Sequence, residues 1–158
     1  MKRSDPLADC YICRKHAGLQ RPPGGVIYED DVVYVSHAQI REGQSDAYLG
    51  YLMLEPKRHV PGLADLSEAE ARSIGWMATR LARALMASPE VDHVYSFVIG
   101  HGVPHFHMHI IPKYVGAPRE YWGPRVDEWP DAPRGGVDAI ERYCERLRER
   151  LAEAGADA

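Results

Sequence analysis

The sequence is poor in cysteine, has almost no phenylalanine and contains no long apolar run. Three Cys among 158 residues are too few, and odd in number, for a disulfide framework, which excludes a stapled secreted mini-domain and fits a reducing compartment. The longest apolar stretches are a few residues, far short of the ~20 that a membrane-spanning helix needs. The opening Met1-Lys2-Arg3-Ser4-Asp5-Pro6 lacks the apolar segment of a signal peptide. The expectation is a cytoplasmic protein with no membrane partner. Surplus positive charge is missing too: nineteen Lys and Arg against twenty-three Asp and Glu give a net charge of -4, so no overall basic field exists to hold a polynucleotide backbone. A small phosphorylated ligand stays compatible with that balance. What the chain has in excess is histidine, eight in all, with His101, His105, His107 and His109 inside nine residues.

An ordinary soluble composition, 45% apolar and 27% charged, sets the expectation of one compact domain. Residues 1–9 read as a flexible N-terminus, 10–151 as the domain and 152–158 as a tail. Short strands are predicted over Val26 to Tyr28, Val32 to Val35 and Tyr48 to Leu54, all rich in β-branched or aromatic residues and bounded by turn formers. Ser67 followed by Glu70 forms a capping box, and Ile74, Met77, Ala78, Leu81 and Leu85 keep helical spacing as far as Ser88-Pro89. Strands are predicted again at Val94 to Ile99 and Phe106 to Ile111, joined by a tight reversal over Gly100 to Pro104. A Pro- and Trp-rich loop (115–136) precedes a closing helix from Val137 to Leu151. Its Ile140, Tyr143, Cys144 and Leu147 share an apolar side, where Cys144 reads as a small hydrophobe. Links of hairpin length and a central helix indicate an α+β domain on a mostly antiparallel sheet.

In a strand, side chains alternate faces, so His105, His107 and His109 line one face while Phe106, Met108 and Ile110 line the other. A row of imidazoles repels itself on protonation and is a poor choice for inert surface. The segment His105-Phe106-His107-Met108-His109-Ile110-Ile111 before Pro112 resembles the signature of the histidine triad (HIT) family of nucleotidyl hydrolases and transferases. Three further pieces match its bacterial zinc-containing members in order: Cys10-x-x-Cys13, Tyr28-Glu29-Asp30, and Gly50 leading through Leu52-Met53-Leu54-Glu55-Pro56-Lys57-Arg58-His59. Together they cover residues 10–114.

The resemblance implies a five-stranded antiparallel sheet with flanking helices, usually a homodimer, acting on a small nucleotide substrate. It implies that His107 is the catalytic nucleophile, attacking a nucleotide phosphorus to form a covalent intermediate, with His109 beside the phosphate. Candidate substrates are nucleotide phosphoanhydrides and phosphoramidates; a binding or sensing module with little turnover, or nucleotidyl transfer to a sugar phosphate, are the alternatives. Cys10 and Cys13 have the spacing of thiolates that chelate Zn²⁺ and form half a tetrahedral site. In zinc-containing relatives a His of the Pro-Lys-Arg-His segment and the first triad His complete it, which map to His59 and His105. His16 is a substitute ligand, and a redox dithiol is the competing reading of the Cys pair. Substrate contacts are expected from His101, Gly102 and Trp122: His101 either donates to phosphate or caps its turn, the glycines either permit close approach or make the hairpin, and Trp122 and Trp129 either stack on a base or fasten the loop. The sequence departs from the family at the end of the second strand, where Val35-Ser36-His37 stands in place of a ribose-binding Asp, and at Tyr51, which replaces a histidine.

Overall fold

The computed structural model describes residues 9–156; residues 1–8 of the expected flexible N-terminus and 157–158 of the tail lie outside the described residues. A short helix, α1 (Tyr11–His16), precedes strands β1 (Val26–Glu29), β2 (Val33–His37), β3 (Ala47–Tyr48) and β4 (Leu52–Pro56). The long helix α2 (Glu68–Met86) is followed by β5 (Val91–Phe97), β6 (Met108–Tyr114), the two-residue strand β7 (Arg134–Gly135) and α3 (Val137–Ala156). Five strands form one sheet in the order β1-β2-β4-β6-β5, with every neighbouring pair antiparallel. β3 and β7 form a separate two-stranded pair. The expected α+β architecture and five-stranded antiparallel sheet are therefore present.

Helix α2 begins where the sequence places it: the Ser67 hydroxyl accepts from the Glu70 N–H, and the Glu70 carboxylate accepts from the Ser67 N–H at 2.8 Å. The Arg58 guanidinium also donates to Glu70 and holds its carboxyl down to about 2. One face of α2, with Ile74, Met77, Leu81 and Leu85, and one face of α3, with Ile140, Cys144 and Leu147, bury against Val33, Val35, Leu52, Leu54, Phe106 and Ile110 of the sheet side. The opposite sheet face carries the histidines. Cys144 is buried in that core, and burial pushes its thiol up to about 11.

The structure differs from the sequence expectations in several places; among them, β5 begins at Val91 rather than Val94, and β7 lies within the expected loop 115–136. The short helix α1 was not predicted, because its six residues are too few to display a period. The run Tyr48 to Leu54 is not one strand: it breaks at Gly50, whose φ is +83° and whose position for a Cβ lies 2.6 Å from the Tyr143 hydroxyl and 2.9 Å from Pro112 Cγ. The reversal between β5 and β6 is not confined to Gly100–Pro104 but spans residues 98–107. β6 continues through Pro112 to Tyr114. Pro112 breaks no ladder there, because β4 leaves its side of β6 after the Leu52 and Ile110 pair and the Pro112 carbonyl accepts from the Tyr48 hydroxyl at 2.6 Å instead. Finally, α3 does not end near Leu151 but runs to Ala156, since Ala and Glu in that stretch favour a helix.

Candidate metal group and active-site cavity

The cysteine pair occupies the entry to α1, one helical turn apart, so both thiols face the same way. Cys13 Sγ lies 3.3 Å from His59 Nδ1 and 3.5 Å from His105 Nδ1, and Cys10 Sγ lies 3.5 Å from His105 Nδ1. All four ligand atoms fall within 4.8 Å of one another. A tetrahedral ion with bonds of about 2.0 to 2.3 Å sets its ligands about 3.5 Å apart, so this quartet fits a metal in spacing as well as in donor type. His105 Nε2–H donates to the Pro56 carbonyl at 2.8 Å, which leaves its Nδ1 as a lone pair aimed at the thiols. Burial holds His105 down to about 4, hence neutral, and pushes the Cys13 thiol up to about 12 in the absence of a cation. His16 does not join the quartet. Its Nε2 meets Glu55 at 2.9 Å instead, and its Nδ1 is buried without a partner.

On the histidine face lies a cavity of about 280 Å³. Its floor is β4 with the residue before it, where Tyr51, Met53 and Glu55 alternate inward, and the start of β6 with the residue leading into it, where His109 and His107 do so. The imidazoles of His107 and His109 stand edge to face with centroids 5.2 Å apart. His107 Nδ1–H donates to the His105 carbonyl at 2.6 Å. Because a carbonyl can only accept, the neutral imidazole in this bond carries its proton on Nδ1 and keeps its lone pair on Nε2. His109 is stacked on Phe97 with centroids 4.8 Å apart, and its Nδ1 meets the Tyr51 hydroxyl at 2.7 Å. Burial, with the neighbouring His107, holds His109 down to about 4; burial pushes Tyr51 up, so both groups are neutral near pH 7.

Tyr11, Ile12 and Lys15 of α1 close one end of the cavity, while Arg41, Gln44, Asp127 and Arg134 rim another. Arg41 pairs with Asp127 at 3.0 Å and Arg134 with Asp46 at 2.8 Å. His101 and Gly102 are exposed in the long loop and do not line the cavity. Trp122 does not reach it either: its Nε1–H donates to the Ala117 carbonyl at 2.9 Å, and Lys113 Nζ lies 4.0 Å from its ring centroid. Trp129 packs on the cluster around Ile111 and Tyr114. The residue at the end of β2, His37, donates Nδ1–H to the Ala38 carbonyl and accepts from the Gly50 N–H. No carboxylate stands there. The sequence reading missed Lys15, Glu55, Arg41 and Asp127; the one signal was Glu55 itself, a carboxylate in an otherwise apolar strand.

An antiparallel sheet with alternate histidines at the start of an inner strand and in the segment leading into it, the first in a thiol–imidazole quartet and the next two in a cavity, defines a histidine-triad protein. The chain belongs to the HIT domain family, whose sequence model matches residues 21–116; its members are generally nucleotide-binding proteins or nucleotide hydrolases. Among solved structures it is similar to a zinc-bound histidine triad family protein from Mycobacterium smegmatis, with a TM-score of 0.71, 21% identity, and 96% of this chain and 99% of that one covered. It is also similar to a hypothetical histidine triad nucleotide-binding protein from Sulfolobus tokodaii, with a TM-score of 0.67, 16% identity, and 91% and 93% covered. A curated relative, the nitrilase and fragile histidine triad fusion protein of Caenorhabditis elegans, is 33% identical over an alignment of 72 residues that covers 42% of this chain and 16% of the relative. Among the described residues, no helix is long and apolar enough to cross a membrane.

Proposed function

We propose that the protein is a nucleotidyl hydrolase in which His107 attacks the α-phosphorus of a nucleotide phosphoanhydride or phosphoramidate. The observation that carries this reading is the bond from His107 Nδ1–H to the His105 carbonyl. In the neutral ring this bond leaves the Nε2 lone pair free on a cavity wall, as a nitrogen nucleophile requires. Nε2 forms the N–P bond while the bond from phosphorus to the leaving group breaks, and the leaving group departs with its electron pair, the nitrogen of a phosphoramidate having first taken a proton from solvent. Water then attacks phosphorus, the N–P bond breaks, and the imidazole returns to its starting tautomer as a water proton passes to solvent.

His109, neutral by burial, serves as a hydrogen-bond donor and not as an imidazolium acid. With the Tyr51 hydroxyl donating to Nδ1, its proton sits on Nε2, aimed at a phosphoryl oxygen. The Arg41 and Arg134 rim is the natural exit for an anionic leaving group. Cys10, Cys13, His59 and His105 would hold Zn²⁺, which would supply structural cross-linking of α1 to the segment that carries the nucleophile and no step of the reaction. The test is turnover of a fluorogenic adenosine phosphoramidate and of a dinucleoside polyphosphate by wild type and His107→Ala. Wild-type turnover with none in the variant is expected; equal rates would overturn the assignment. Binding without turnover would select a sensing module, as the missing carboxylate beyond β2 also suggests, and product only with added sugar phosphate would select a transferase.

A further inference from the structure

The cavity holds a buried polar cluster for which the chemistry above has no use. Lys15 is 4% exposed, Glu55 1% and Ser36 0%. Lys15 Nζ donates to Glu55 Oε1 at 2.7 Å and to Ser36 Oγ at 3.1 Å, and His16 Nε2 lies 2.9 Å from Glu55 Oε2. Burial works to raise the Glu55 carboxyl, yet the bond from His16 and the charge of Lys15 outweigh it, so the carboxylate is ionised. Removing a Lys–Glu pair from water costs several kcal/mol per ion, and an apolar pair of similar volume would hold α1 to the sheet as well or better. Stability therefore gives no reason for the pair. Both residues nevertheless line the cavity with His107.

Their hydrogen-bonding capacity is not exhausted. An ammonium has three N–H groups, of which Lys15 uses two, and a carboxylate has about four acceptor positions, of which Glu55 uses two. A donor and an acceptor thus stand side by side. Their position relative to the nucleophile follows from the sheet: Leu54 and Met108 are the last pair of their ladder, and Glu55 and His107 are the next residues beyond it on the two chain segments. Ser36, on β2, is one strand beyond β4. Strand spacing sets the cluster roughly 5 to 10 Å from His107, the separation of a nucleotide's base from its α-phosphate. The walls there are Tyr11, Ile12 and Met53, flat or apolar surfaces suited to a heterocycle, whereas the Arg41 end is ionic. Tyr51, just before β4, and Glu55 within it are four residues, roughly 13 Å, apart, so the two ends are distinct.

The geometry points to Lys15 and Glu55 as specificity-determining residues that read the polar edge of the nucleobase, Glu55 accepting from a ring or exocyclic N–H and Lys15 donating to the adjacent nitrogen or carbonyl. This rests on the proposed nucleotide reading and deepens it: the substrate is one whose base offers a donor beside an acceptor. The experiment compares the Kd of wild-type protein, isolated with its bound metal, for AMP and for purine ribonucleoside 5′-monophosphate, which lacks the exocyclic amine. AMP is expected to bind at least about ten-fold more tightly, the factor to which about 1.4 kcal/mol corresponds. The ratio is expected to approach one in Lys15→Met and in Glu55→Gln, each checked for wild-type metal content and thermal midpoint; a purely structural cluster would move stability and leave the ratio alone. Should either variant fail to fold, the wild-type ratio decides by itself. Equal wild-type affinities for the two ligands, or a ratio unchanged in folded variants, overturn the inference while leaving the nucleotide reading intact. The absence of binding by every nucleotide overturns both.

Discussion

Replacing Tyr51 with phenylalanine removes one oxygen and isolates a single interaction. The Tyr51 ring stays against its neighbours, and only the hydroxyl 2.7 Å from His109 Nδ1 is lost. His109 is clamped on its other side by Phe97, with ring planes 12° apart, so the ring keeps its place. What changes is the position of its proton. With the hydroxyl donating, the proton belongs on Nε2; without it, the second tautomer becomes accessible and turns a lone pair toward the phosphoryl oxygen. A neutral hydrogen bond of this kind contributes about 1 kcal/mol, and leaving a buried nitrogen unpaired costs about 1 to 3 kcal/mol. Tyr51→Phe should therefore slow the single-turnover nucleotidyl step about ten-fold while changing the Kd for AMP by less than about two-fold. The assay is rapid-quench turnover of an adenosine phosphoramidate, with the His109 tautomer read from ¹⁵N chemical shifts. A wild-type rate together with an unchanged His109 signature would refute this reasoning.

The other expectations concern the frame around the site. Elemental analysis of the purified protein should find about one zinc per chain, and Cys13→Ser should lose most of it; a fully active, metal-free preparation contradicts the metal assignment. Gly50→Ala should destabilise the fold by roughly 2 to 3 kcal/mol, through strain at φ +83° and overlap with the Tyr143 hydroxyl. In a chain of this size that lowers the thermal midpoint by about 5 to 10 °C. His37 and His109 are both lowered from 6.5 to about 4, chiefly by burial. Their neutral forms stabilise the fold fully above pH 6.5, and that contribution is lost as pH falls from 6.5 toward 4, where the unfolded chain binds more protons. The unfolding free energy from urea titration should therefore drop between pH 7 and pH 5, by up to about 1.4 kcal/mol per pH unit for each group, and a flat profile would contradict the burial argument.

Much of this was legible in the sequence because it is written in local periods. The capping box at Ser67 and Glu70 and the helical spacing of Ile74, Met77 and Leu81 encode α2 and its face within a few residues, while the alternation of His105, His107 and His109 separates the imidazoles from the core residues Phe106 and Ile110, although only His109 lies within β6. The Cys10 and Cys13 pair with His59 and His105 was also legible, but only through the family resemblance, since no local rule joins positions 95 residues apart. What stayed hidden depends on tertiary placement. The break at Gly50 arises from Tyr143, which approaches from the far end of the chain, and β6 accommodates Pro112 only because β4 has turned away. His101, Gly102 and Trp122 were singled out for their chemistry, yet loop geometry keeps them out of the cavity. Lys15 and Glu55 carry residue types of a solvated surface, and only the fold shows that they are buried together.

The central claim is that His107 Nε2 forms a bond to phosphorus. Rapid acid-free quenching of wild-type protein with an adenosine phosphoramidate, followed by intact mass analysis and fragment mapping, tests it most directly. A single nucleotidyl adduct located on His107, absent from His107→Ala and discharged by water at the rate of turnover, is the expected result. Turnover at an undiminished rate in His107→Ala, or an adduct mapped to another residue, would contradict it.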